Sequence, residues 1–169
     1  ALKLPDNLNL PKANGILPDS PFYPFEKVIE RTQLAFTFDP VQKENLRLAI
    51  ASERLTEAKT LMDQGKTAAA SKALDDYGQR LSEVTANLPA IARNQTPATQ
   101  SLLNKAEEVA SAQIAITAAL NLAAPPAQAE SWTGAGNAGK QILDKVAEVK
   151  GEPAIPEDLS TGLQSLKEQ

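Results

Sequence analysis

The chain contains no cysteine and no histidine. Those two absences remove the thiol nucleophile, the usual general base, the Ser-His triad, the common zinc ligand sets and every disulfide. A cysteine-free chain fits an oxidising exterior, where stray thiols are a liability, although many cytosolic chains share the trait. No basic run is longer than two residues, and the net charge is −4 with a pI near 5.0. Binding to nucleic acid needs Lys and Arg clustered against phosphates, so no nucleic acid partner is expected. No apolar run reaches the length of a transmembrane helix, so no membrane-spanning segment is expected. Aromatic residues are scarce at 4%, which makes their placement informative.

Three of the six Phe and Tyr residues (Phe22, Tyr23 and Phe25) fall within the stretch Gly15-Ile-Leu-Pro-Asp-Ser-Pro-Phe-Tyr-Pro-Phe-Glu-Lys27. Pro18 keeps Leu17 extended, because the residue before proline is pushed out of the helical region. Ser20 then reads as a helix cap, with Pro21 in the first turn where its missing N–H costs nothing. The concentrated aromatics read as an anchor. Before them, residues 1–19 hold three prolines, three asparagines and the spaced leucines Leu2, Leu4, Leu8 and Leu10. That composition predicts an extended, Pro-rich arm that lies in a groove or on a neighbouring subunit. Packing of the arm on its own helices fits equally well. The chain opens at Ala1 without an initiator Met, which reads as a mature terminus after leader removal and predicts a secreted or cell-surface protein.

Residues 20–150 read as a helical bundle domain. A short helix is expected over Glu26–Phe36, with Val28, Ile29, Leu34 and Phe36 available for burial. Asp39 and Pro40 cap and open the next helix. Leu48, Ala51, Leu55, Ala58 and Met62 alternate steps of three and four, as do Ala70, Leu74, Tyr77, Leu81, Val84, Leu88 and Ile91. Gly65 separates the two runs where a helix C-terminus favours a left-handed residue, and Thr67 is placed to cap the second. Two amphipathic helices joined by a tight turn make an antiparallel hairpin. Pro89 predicts a kink or stop near residues 86–88. Thr96 and Pro97 open a helix to about Leu122 with a broad apolar face. Ala123-Ala-Pro-Pro-Ala127 breaks it, and a glycine-punctuated turn over residues 132–139 leads into a last helix bearing Ile142, Leu143, Val146 and Val149. Residues 151–169 read as a Pro-containing connector and an amphipathic segment with Leu159, Leu163 and Leu166. The fold class is therefore all-α, a bundle built on a long antiparallel hairpin with an extended amino-terminal arm.

No catalytic, cofactor-binding or metal-binding residue is nominated, and no enzymatic activity is expected. Gly134-Ala-Gly136-Asn-Ala-Gly139 has Gly-x-Gly-x-x-Gly spacing, but no strand precedes it, so it reads as a turn. Asp75-Asp76, Glu107-Glu108 and Glu152 with Glu157-Asp158 read as solvated faces. Glu53, Arg54, Glu57 and Lys59 read as ordinary surface pairing along a helix. Asn94-Gln-Thr96 matches the N-glycosylation pattern. Trp132 reads first as a packing anchor and second as a recognition residue. The interaction residues nominated are Leu2, Leu4, Leu8, Leu10, Phe22, Tyr23, Phe25 and Trp132.

Several ordered phrases resemble an uncharacterised family of bacterial and archaeal extracytoplasmic domains known as a domain of unknown function. They are Gly15-Ile-Leu-Pro-Asp-Ser-Pro-Phe-Tyr23, Thr37-Phe-Asp-Pro40, Ala49-Ile-Ala-Ser-Glu-Arg-Leu-Thr-Glu-Ala58, Gly65-Lys66 and Ala73-Leu-Asp-Asp-Tyr77. The resemblance covers residues 15–85 and implies a short helix, a long helical hairpin and a place outside the cytoplasm; it implies no activity. Pro24 departs from the family pattern, so the first helix is expected to start later. Two functions are weighed. The leading one is a non-enzymatic structural or interaction protein of the cell exterior, self-assembling through its arm into a homo-oligomer, filament or layer. The alternative is an extracytoplasmic sensor that binds a small ligand between helices, with Phe22, Tyr23, Tyr77 and Trp132 lining the pocket.

Overall fold

The computed structural model describes Leu17, residues 19–21, 23–123 and 129–151. The expectations for the arm, for the break over residues 124–128 and for residues 152–169 lie outside those residues. The described chain is all-α, with five helices: α1 (Tyr23–Phe36), α2 (Pro40–Asp63), α3 (Thr67–Ala92), α4 (Pro97–Ala123) and α5 (Ala129–Lys150). Helix α2 packs on α3 and α4, and α5 completes the bundle against the same two helices. Helix α1 lies outside this group, against α2.

The hairpin forms where the periodicity places it. Every residue of the second apolar run, from Ala70 to Ile91, is buried. In the first run Leu48, Ala51, Leu55 and Ala58 are buried, while Met62 packs at the edge of the core. Asp39 caps α2, its Oδ1 accepting the Gln42 N–H at 2.8 Å, and Pro40 takes the first helical position. Gly65 has a φ of +73°. Its N–H donates to the Met62 carbonyl at 2.9 Å, and the Lys66 N–H donates to Leu61 at 2.8 Å, which completes a Schellman ending. Thr96 caps α4 as expected, its hydroxyl accepting the Thr99 N–H at 3.1 Å.

Four local expectations are corrected. Of the kink or stop expected at Pro89, the stop is overturned: α3 continues to Ala92. A proline inside a helix costs about 3 kcal/mol, but Leu88 and Ile91 flank it and are both buried, each contributing roughly 1.5–3 kcal/mol. Thr67 is not the cap of α3; that position belongs to Lys66, which makes no side-chain cap bond. Ser20 and Pro21 form a turn, with the Ser20 carbonyl accepting the Tyr23 N–H at 3.1 Å, and α1 starts at Tyr23. Pro24 sits in its first turn, where a missing N–H is harmless.

The fourth correction concerns the glycines of residues 134–139, which lie inside α5. Small residues let α5 approach α4 closely: a Cβ on Gly139 would stand 2.9 Å from Ile114 Cγ1 and 3.6 Å from the Ala110 carbonyl oxygen. Gly136 faces Thr117 in the same seam. Packing, rather than turn chemistry, explains that glycine spacing.

Candidate functional site

Helix α1 is inside out. A 14-residue helix laid on a bundle normally turns its apolar stripe inward. Here Tyr23, Lys27, Glu30 and Leu34, which share one face by their spacing, point toward α2 and α3. On the opposite face Phe25, Val28 and Ile29 are 67%, 59% and 58% exposed, Phe36 is 72% exposed, and Phe38 in the linker is 83% exposed. Of Val28, Ile29, Leu34 and Phe36, all expected to serve burial, only Leu34 is buried, and the expectation for the other three is overturned. The cause lies in what α2 offers to α1: a buried guanidinium, which draws the charged face of α1 inward.

That guanidinium belongs to Arg54, which is 0% exposed. Its two terminal nitrogens donate to Glu30 of α1 and to Glu57, one turn along α2. Its Nε stands 3.0 Å from Asp76 Oδ2 of α3, and Asp76 also accepts from Lys27 of α1. The Tyr23 ring stacks over the pair, with its centroid 5.2 Å from Arg54 Cζ and 5.3 Å from Lys27 Nζ. Three helices thus meet at one cation. From Asp76 the network continues through Arg80 to Glu83, then to Arg47 Nε at 2.8 Å from Glu83. It ends at Glu44, which accepts from Arg47 and, at 3.0 Å, from Asn87 Nδ2. Four cations and five carboxylates make one connected chain. Ahead of α1, Asp19 pairs with Lys66 at 2.7 Å beside the hairpin turn, and that pair holds the Asp19 carboxyl below the ordinary range.

Burial shapes the protonation of this cluster. It pushes Glu57 up to about 7, against the opposing pull of Arg54. Burial also raises Glu44 and the Tyr23 phenol. Burial works against the charge on Arg54, yet Glu57 and Glu30 outweigh it and hold the guanidinium charged. The sequence reading of Arg54 and Glu57 as surface pairing is corrected: both are buried, and Asp76 joins them instead of standing on a solvated face. The spacing of Arg54 and Glu57 was visible in the sequence; their partner Glu30, 24 residues away, was not.

The nominated interaction residues scatter. Leu2, Leu4, Leu8, Leu10 and Phe22 lie outside the described residues. Phe25 is on the outward face of α1 and Tyr23 on its inner face. Trp132 is 1% exposed within the core, so it anchors packing and offers a partner no surface. Tyr77 is also in the core. An open groove of about 420 Å³ does lie between α3 and α5, lined by Leu74, Asp75, Gly78, Glu130, Ser131, Gly134 and Ala135. Asn94 is exposed in the α3–α4 turn. Among the described residues there is no cluster of three metal-ligating side chains, and no helix is long and apolar enough to cross a membrane.

These features define a helical bundle carrying a charge-seated leading helix whose apolar face looks outward. The chain belongs to the family described as domain of unknown function (DUF5667), which matches residues 15–121. The match runs from the Gly15 phrase to the end region of α4, further than the phrases ending at Tyr77 suggest. Helix α5, which supplies Trp132 to the core, follows the matched region. No curated protein and no solved structure matches the chain.

Proposed function

We propose that this chain is a non-enzymatic structural protein of the cell exterior that assembles with copies of itself through its amino-terminal region. The observation that carries the reading is the outward apolar row of α1, which a second copy of the chain covers in the assembly. Support for the exterior comes from the absence of cysteine, which suits an oxidising environment. Leu2, Leu4, Leu8 and Leu10 precede α1 and extend the same contact onto a neighbour. Each leucine fully buried there contributes about 1.5–3 kcal/mol.

The test is removal of residues 1–14 from the full chain. Helical circular dichroism is expected to persist, because the core is built from α2 to α5, while growth beyond small oligomers is lost. Unchanged assembly by the shortened chain, read by light scattering and electron microscopy, would end the arm's role.

A further inference from the structure

We infer that two copies of this chain pair through α1, with the two helices antiparallel about a two-fold axis. The inference rests on the self-assembly reading above and names the surface that starts it. Phe25, then Val28 and Ile29 side by side, then Thr32 and Phe36 keep the three-and-four spacing of a helix-to-helix seam along the outer face. Thr32 and Ala35 are exposed alongside them and give a facing helix room to approach. At the exposures of the three Phe, the Ile and the Val, the row leaves roughly 600 Å² of apolar surface outward. That is at the upper edge for a patch on a monomer, and two such rows facing one another bury about 1,200 Å², the threshold of a stable specific interface.

The chemistry of the row selects its occupant. No charge lies within it, so it offers nothing for a charged partner to complement. A two-fold pair needs only that the strip be complementary to itself. A membrane-surface helix instead carries Lys and Arg along the flanks of its apolar face. The α1 helix has two basic residues: Lys27 is turned inward onto Asp76, and Arg31 alone is exposed. In the antiparallel arrangement Phe25 of one copy lies opposite Phe36 of the other, and Ile29 lies opposite Thr32. Phe38, just beyond the helix end, folds over the edge of the seam.

The experiment uses the full chain and an Ile29→Lys/Phe36→Lys variant, compared by sedimentation velocity from 1 to about 200 µM. Both substituted side chains are exposed in the single chain, so circular dichroism should not change. A paired native chain and a variant whose dissociation constant rises at least 100-fold support the inference. A variant that pairs as tightly as the native chain overturns the α1 interface while leaving self-assembly standing. A native chain that stays monomeric, including one that binds anionic vesicles instead, overturns both. Orientation is read separately, and the absence of native cysteine makes the readout clean. Mixed Phe25→Cys and Phe36→Cys chains are expected to cross-link to one another on oxidation, and each alone to cross-link poorly. The opposite pattern overturns the antiparallel arrangement.

Discussion

Replacing Arg54 by Met isolates the contribution of the charge network, because this one side chain touches Glu30, Glu57 and Asp76 from the centre. Methionine fills much of the same volume and leaves three carboxylates without their shared cation. Removing one partner of a buried ion pair costs about 3–5 kcal/mol, since the remaining charge stays desolvated and unpaired. Lys27 still reaches Glu30 and Asp76, at 3.7 Å from Glu30 Oε2, so the lower half of that range is expected. With a urea slope of about 1–3 kcal/mol per molar, the unfolding midpoint should fall by roughly 2 M at pH 7.5. The same loss should shrink near pH 5, where Glu57, held up to about 7 in the native protein, already carries a proton. Adding Glu30→Gln and Glu57→Gln to Arg54→Met removes the stranded charges and should restore most of the loss. A single variant within about 1 kcal/mol of the native protein at pH 7.5, or a triple variant no better than the single, would refute the reasoning.

Further perturbations test other parts of the account. Because burial raises the native Glu57 pKa to about 7, the folded state holds that proton more tightly than the unfolded chain does. The resulting stability is fully present below about pH 4.5 and is lost as the pH rises through 7, a decline on the order of 3–4 kcal/mol. Urea midpoints measured across this window should show the slope, and Glu57→Gln should flatten it; an unchanged slope contradicts the assignment. Glu44 is shifted the same way and leaves a residual decline of the same sign. Gly139→Ala should destabilise by about 1–3 kcal/mol, because the new Cβ meets Ile114. Gly134→Ala has open space at its Cβ and should stabilise α5 by about 0.5–1 kcal/mol; thermal melts of the two variants should move in opposite directions. Asp39→Ala removes the cap of α2 and should lower stability by about 1 kcal/mol, read from the same melts.

Where local chemistry decides, the sequence was readable. Asp39-Pro40, Gly65 and Thr96-Pro97 each encode a helix end in two or three neighbouring residues, and all three act as read. The hairpin was legible because a period of three and four repeats over both runs, and burial follows that period at every position but Met62. Elements set by distant partners were not legible. Pro89 stays helical because Leu88 and Ile91 are held by the core. The glycines of α5 look like a turn until Ile114 and Thr117 of α4 are placed against them.

The candidate site failed to show for the same reason. Apolar residues on a short helix suggest an inner face, and nothing local to residues 23–36 says otherwise. Only the buried Arg54, placed by the packing of α2 on α3, reverses the polarity of α1. A cue was present nonetheless: Lys27 and Glu30 lie on the stripe of Tyr23 and Leu34, while the bulkiest apolar residues share the other stripe. Two stripes of opposite character on one helix leave two possible inner faces, and the choice between them belongs to the partner helix.

The most direct trial of α1 as an assembly surface is the molar mass of the native chain in solution, measured by light scattering over a wide concentration range. A mass that rises with concentration from 18.0 kDa toward twice that value and beyond is the predicted result. A constant mass of 18.0 kDa up to the solubility limit would contradict it.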